Sequence, residues 1–143
     1  MERDIDEITG IIVDSAYKIH VSLGPGLLGS VYEVVLAQAL ERSGLLVERQ
    51  KVISFEHEGI RFNEGLRVDL LVKYKVVVEL KSTEKNIPFF YKQVTTYIRL
   101  LNLPVGLLIN FGTDKFIDGI KRVVNQYSPS PTSPLRINQD TTS

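Results

Sequence analysis

Arg67-Val-Asp-Leu-Leu-Val-Lys-Tyr-Lys-Val-Val-Val-Glu-Leu-Lys81 sets Asp69, Glu79 and Lys81 inside two strongly apolar runs. Residues 68–72 and 76–80 are rich in Val and Leu, and Lys73-Tyr74-Lys75 is a short polar break, a pattern that predicts a β-hairpin. A turn centred on Tyr74 brings Val72 opposite Val76 and, three positions further out, Asp69 opposite Glu79. Strand side chains alternate with period two, so Glu79 and Lys81 share a face that Asp69 joins from across the ladder. Two facing carboxylates repel, and burying either without a partner is costly. A divalent cation such as Mg²⁺, which takes carboxylate oxygens, would remove both penalties. The competing reading is a solvated polar stripe in which Lys81 pairs with the two acids.

The 143 residues suffice for one domain with its own core. Seventeen basic and seventeen acidic residues cancel, so any nucleic-acid contact must come from a local patch. The absence of cysteine excludes disulfides, thiolate zinc sites and a thiol nucleophile. His20 and His57 are too far apart in sequence for a ligand-spaced pair. Met1-Glu-Arg-Asp-Ile has no apolar signal core, and no apolar run approaches the ~20 residues of a membrane span. A soluble, cytoplasmic protein without membrane contact is expected.

Around the hairpin the order of elements can be read off. Ile5, Ile8, Ile12, Ala16 and Ile19 recur at helical spacing, with Asp4 and Glu7 as N-cap and capping-box partner. This helix ends at Leu23-Gly24-Pro25. Gly26 to Gly29 read as a loop, and Ser30 with Glu33 reads as a second capping box opening a helix to about Ser43, stopped by Gly44. A strand follows over 47–55, then a short strand over 60–62, with Asn63-Glu64-Gly65 leading into the hairpin. After a polar loop over 82–87, Pro88 fits the first turn of a helix to about Leu101. Residues 105–111 form a continuous apolar run typical of a strand buried on both faces. A last amphipathic segment, read as a helix, spans about 115–125. This order predicts an α/β sandwich around a central mixed β-sheet flanked by helices. The Ser/Pro/Thr-rich stretch 128–143 has almost nothing to bury and reads as a disordered tail after a domain over 1–127.

With Asp, then Glu-x-Lys on the next strand, then a helix, the chain resembles the PD-(D/E)xK nuclease superfamily. It looks most like the small bacterial and archaeal group named for a Gly-x-x-Glu-x-x-Tyr motif. The resemblance rests on Gly-Leu-Leu-Gly-Ser-Val-Tyr-Glu (26–33), Leu-Arg-Val-Asp-Leu-Leu-Val (66–72), Val-Val-Val-Glu-Leu-Lys-Ser (76–82) and Gln-Val-Thr-Thr-Tyr (93–97). Pro-Val-Gly-Leu-Leu-Ile-Asn-Phe-Gly (104–112) and Gly-Ile-Lys-Arg (119–122) add to it. It implies a restriction-endonuclease-like fold and a nuclease cleaving phosphodiester bonds of DNA, or less readily RNA, with Mg²⁺ or Mn²⁺ as cofactor. By the same resemblance Asp69 and Glu79, with a main-chain carbonyl near Leu80, would bind the metal, and Lys81 would position or deprotonate the attacking water. Gln93 and Tyr97 match the Gln-x-x-x-Tyr motif of RecB-like members and would contact the substrate strand. Their other reading is a core aromatic and a solvated helix residue.

One position departs from the pattern: Gly29 stands where the group carries its Glu, while Tyr32 of the motif is present. Glu33 lies one turn on and reads either as the capping-box acid or as an accessory ligand. Lys73, Lys75, Lys92 and Arg99 are either phosphate contacts or ordinary solvated charges. Lys121 and Arg122 fit a helix C-terminus. A second function class therefore stays beside the nuclease: a fold that no longer cleaves and binds nucleic acid or protein. The oligomeric state, with a homodimer as one option, is not written in the sequence.

Overall fold

Asp4 accepts a hydrogen bond from the Glu7 N–H at 2.7 Å and so starts α1, Ile5–Leu23, at the predicted place. Ile8, Ile12, Ala16 and Ile19 form its buried stripe, and Gly24, at φ +74°, ends it. The computed structural model describes residues 4–125, so the proposed tail over 128–143 and the boundary at 127 lie outside the described residues. After α1 come α2 (Gly29–Arg42), β1 (Val47–His57), β2 (Ile60–Val72), β3 (Val76–Lys81), α3 (Pro88–Leu101), β4 (Val105–Asn110), α4 (Phe116–Gly119) and β5 (Ile120–Val124).

The five strands form one sheet in sequence order. Only β3 and β4 run parallel, joined by the crossover through α3, and the other neighbours are antiparallel. This is the mixed sheet flanked by helices that the element order predicts. Two cores separate along its faces. Leu70, Val72, Val76, Val78, Leu107 and Ile109 pack with α1 and α2, whereas Val77, Leu108 and Val123 pack with Val94 and Ile98 of α3. No helix among the described residues is long and apolar enough to cross a membrane.

Three local expectations need correction. The Ser30–Glu33 capping box does not form: Leu28 occupies the N-cap without a side-chain cap bond, and Glu33 is buried. Arg49 and Gln50 supply it with better donors than a single backbone N–H would. The segment 60–72 is one strand rather than a short strand and a connector. Gly65 is a seat for an aromatic ring, because a Cβ there would collide with Phe55. The final segment is a four-residue helix and a strand, not one amphipathic helix. Pairing Val105–Ile109 with Ile120–Val124 satisfies β4 on its second edge, which a helix could not do. Arg122 therefore meets Asp6 at 2.8 Å, and the Lys121 ammonium lies 5.2 Å from the Tyr91 ring centre, instead of complementing a helix dipole.

The β1–β2 ribbon has a fault. Leu66 and Val68 belong to the α3-side core, yet Leu70 and Val72 belong to the opposite one. On β1, Val47 packs against the α1/α2-side core, and Ile53 and Phe55 against the α3-side core. Pairing runs Arg49–Leu70 and then Lys51–Val68, so both strands change faces where Gln50 lies across from Asp69. Gln50 has φ +49°, a left-handed backbone that displaces the alternation locally.

Gly106 lets α3 seat directly on β4, since a Cβ there would press on Val94 and Ile98. Gly106→Val should therefore cost about 1–3 kcal/mol through overpacking. Urea unfolding of the two proteins measures it, and equal midpoints would show that α3 does not rest on that strand.

Candidate functional site

Backbone pairing between β2 and β3 joins Leu70–Val78, Leu71–Val77 and Val72–Val76. Continued one step, this register sets Asp69 opposite Glu79, where side chains replace the ladder. The Asp69 N–H donates to Glu79 Oε1 at 2.9 Å, and the Leu80 N–H donates to Asp69 Oδ2 at 2.9 Å. Each carboxylate is thus pinned by the partner strand's backbone. On a strand, the N–H and C=O of one residue point to the same edge. The Leu80 carbonyl therefore faces the same gap as Asp69.

Glu79 is only 3% exposed. Burial, and then the Asp69 charge beside it, push its carboxyl up to about 7, against the opposing pull of the Asp69 N–H and the Lys81 ammonium. The predicted repulsion between the two acids adds to the larger effect of burial in raising the Glu79 carboxyl.

Lys81 does not pair with the two acids in the way a solvated stripe would require. Its Nζ donates to Gln93 Oε1 at 3.1 Å and lies 4.7 Å from the Phe90 ring centre. Gln93 Nε2 in turn donates to the Tyr97 hydroxyl at 3.1 Å. The i, i+4 spacing on α3 thus builds a relay, Lys81–Gln93–Tyr97, beside the acids. Burial, and more weakly the Glu79 and Asp69 charges, raise the Tyr97 hydroxyl against the Gln93 hydrogen bond.

Glu33 comes in from α2. Its Oε2 accepts from Arg49 Nε at 3.1 Å and its Oε1 from Gln50 Nε2. The same Gln50 nitrogen reaches Asp69 Oδ1 at 3.2 Å, so Glu33 borders the site through one bridging amide. Tyr32 turns away into the core. It stacks on Phe111 with ring centres 4.4 Å apart, and its hydroxyl donates to the Gly24 carbonyl and accepts the Leu27 N–H. It holds the Gly24–Leu27 loop, whose Leu27 carbonyl accepts from the Ser82 hydroxyl just beyond Lys81. Gly29 opens α2 with free space where a Cβ would stand.

Arg49, Gln50, Phe90 and Asn110 border the site without a clear signal in the sequence. The first two sit in the polar run Glu48-Arg49-Gln50-Lys51, which in sequence looks like a solvated strand edge. Asn110 is fully buried, and its Oδ1 accepts the N–H groups of Thr83 and Gly112, which shapes the turn after Lys81. An Asn at the end of an apolar run was its only signal.

Among the described residues no group of three or more His, Cys, Asp or Glu side chains is disposed to hold a metal. The donor set is two carboxylates and the Leu80 carbonyl, which fits a hard cation that keeps several waters. The upward shift of Glu79 shows what such a cation would relieve: two negative charges in one poorly hydrated gap. A cleft of about 410 Å³ lies elsewhere, lined by Ile87, Tyr91, Ile117 and Lys121 among others, and contains neither acid.

The Glu79 shift sets a pH dependence for the metal-free protein. Between about 4.5 and about 7 the unfolded chain loses this proton while the folded chain keeps it. Stability from this group is therefore complete below that window and falls as pH rises through it, by up to about 3 kcal/mol. Glu79→Gln keeps an acceptor for the Asp69 N–H and adds a donor toward Asp69. Urea unfolding across pH 4–8 should show that the variant has lost this slope and is the more stable protein at pH 8. Parallel pH profiles would refute the assignment.

A family model described as the PD-(D/E)XK nuclease superfamily matches residues 6–123. No curated protein and no solved structure gives a match. The chain belongs to the PD-(D/E)XK nuclease superfamily, with its restriction-endonuclease-like α/β fold.

Proposed function

We propose that this superfamily member is a metal-dependent nuclease that hydrolyses phosphodiester bonds of DNA, with RNA the less favoured substrate. The observation that carries the reading is the reciprocal pinning of Asp69 and Glu79 at the end of the β2–β3 ladder. That arrangement holds two carboxylates together at the cost of their mutual repulsion. Within the superfamily, Gly26, Tyr32, Gln93 and Tyr97 support the Gly-x-x-Glu-x-x-Tyr group, from which Gly29 departs.

Asp69, Glu79 and the Leu80 carbonyl would hold Mg²⁺ or Mn²⁺. A divalent cation bound there would lower the pKa of a water and neutralise charge on the phosphate. Lys81 spends one N–H on Gln93 and keeps two donors for a phosphate oxygen and the attacking water. Gln93 fixes the ammonium, and Tyr97 fixes Gln93. Hydrolysis forms a bond from the water oxygen to phosphorus, breaks the bond to one sugar oxygen, and leaves a proton on that oxygen. Glu79 must give up its own proton before it can serve as a ligand, so metal affinity rises with pH through about 7.

A second reading, a nuclease fold that binds nucleic acid or protein without cleaving, draws on Gly29 and on the engagement of Glu33 by Arg49 and Gln50. Metal binding without turnover would favour it.

Cleavage of a labelled DNA duplex or single strand should stop in excess EDTA and return with Mg²⁺ or Mn²⁺. Asp69→Asn keeps an acceptor for the Leu80 N–H while removing the charge, so it should fold. Loss of hydrogen-bonding neighbours of a metal site already costs about 10–100-fold, and loss of the ligand charge should exceed that in both Mn²⁺ affinity and cleavage. Cleavage that persists in EDTA, or an Asp69→Asn protein as active as the parent, would overturn the proposal. Lys81→Met should bind Mn²⁺ as the parent does, by calorimetry, and lose kcat. An unchanged kcat would remove Lys81 from the mechanism.

A further inference from the structure

Gln50 combines two properties that a solvated strand residue does not need together. Its backbone is left-handed, at φ +49°, in a side chain that is neither Gly nor Asn. Its side-chain amide nitrogen donates to two carboxylates on two other elements, Glu33 of α2 and Asp69 of β2. The left-handed residue lies where β1 and β2 change faces, directly across from Asp69, so the backbone fault carries the amide into the site. Non-glycine residues held in that region are strained, and such strain concentrates where function requires a fixed geometry.

We infer that Gln50 is a positioning residue for the metal-binding carboxylate: its amide fixes Asp69 Oδ1 and ties it to Glu33. This rests on the metal-dependent reading of Asp69 and Glu79. The Leu80 N–H already holds Asp69 Oδ2. With Gln50 on the other oxygen, rotation of the carboxylate about its terminal bond is blocked. A carboxylate oxygen accepts more than one partner, so both oxygens keep lone pairs for a cation. Glu33 is the anchor. Its second oxygen is held by Arg49 through Nε and through a guanidinium NH₂ at 3.1 Å, so it presents a fixed acceptor to Gln50. Acid side chains that ligate metals are themselves held by hydrogen bonds, and removing such a partner typically weakens binding about 10–100-fold.

A purely conformational role is the alternative: Gln50 could matter only because some residue must be left-handed there. Replacement by glycine or by asparagine separates the two roles. A glycine at this position would adopt the turn without strain and carry no amide. An asparagine side chain also tolerates the turn, but is one methylene too short to bridge both acids.

The experiment is calorimetric Mn²⁺ titration, with thermal unfolding in EDTA, of the parent, Asp69→Asn, Gln50→Gly and Gln50→Asn. The inference predicts that Gln50→Gly and Gln50→Asn unfold close to the parent's temperature, the relieved turn offsetting the lost hydrogen bonds, yet bind Mn²⁺ about 10–100-fold more weakly. Parent-like Mn²⁺ affinity in both, with Asp69→Asn defective, would overturn the positioning role alone. A parent that binds no Mn²⁺, or an Asp69→Asn protein that binds it as well as the parent, would overturn the metal reading and this inference with it. Gln50 variants that unfold well below the parent would assign the residue to the fold and also overturn the inference.

Discussion

The whole arrangement depends on where the β2–β3 ladder stops exchanging backbone hydrogen bonds. Past Leu70–Val78, the Asp69 and Leu80 N–H groups turn to carboxylates rather than to carbonyls. A buried N–H must find an acceptor, and a carboxylate is a stronger one than a carbonyl. The substitution therefore satisfies the backbone while placing two negative charges in one gap. Glu79 bears the cost, since its carboxyl titrates near 7 instead of near 4.5. Fold stability alone would favour a neutral pair at that point.

The rest of the molecule delivers groups to that gap from separate directions. Gly106 allows α3 to lie flat on the parallel pair, which brings Phe90 and Gln93 over Lys81. The ammonium thereby gains a hydrogen-bond acceptor and an aromatic face on the helix while its charge still acts on Glu79. Asn110 and Gly112 clamp the turn after Lys81, where a Cβ on Gly112 would strike the Thr83 backbone. On the other side α2 presents Glu33 and β1 presents Arg49 and Gln50. Rigid elements thus carry every group of the site.

Much of this was legible. Asp4, the Ile5–Ile19 stripe and Gly24 define α1 because each acts through neighbours within a turn. The Val/Leu runs around Lys73-Tyr74-Lys75 set the hairpin and its register, and with it the meeting of Asp69 and Glu79. Misreadings arose where a local rule met a tertiary competitor. Ser30 and Glu33 have capping-box spacing, but Arg49 and Gln50 out-compete the backbone N–H for that acid. Gly65 looks like a connector and is instead the space left for Phe55. Lys115–Asn125 has helical periodicity, yet the open edge of β4 recruits its second half as a strand.

The sequence by itself determined most of the elements up to β4, the order in which they follow, and the pairing of the two acids across one hairpin. These depend on periodicity and on residues a few positions apart. Only the tertiary structure decided that Glu79 is buried enough for its carboxyl to be pushed up, that Lys81 turns to Gln93, and that Glu33 faces inward. It alone decided that Gln50 stands left-handed between two carboxylates. Those outcomes turn on groups 12 to 19 residues apart, or on separate elements packed face to face. The energies of burial and of paired charge exist only once the chain has brought those groups together and excluded water from between them.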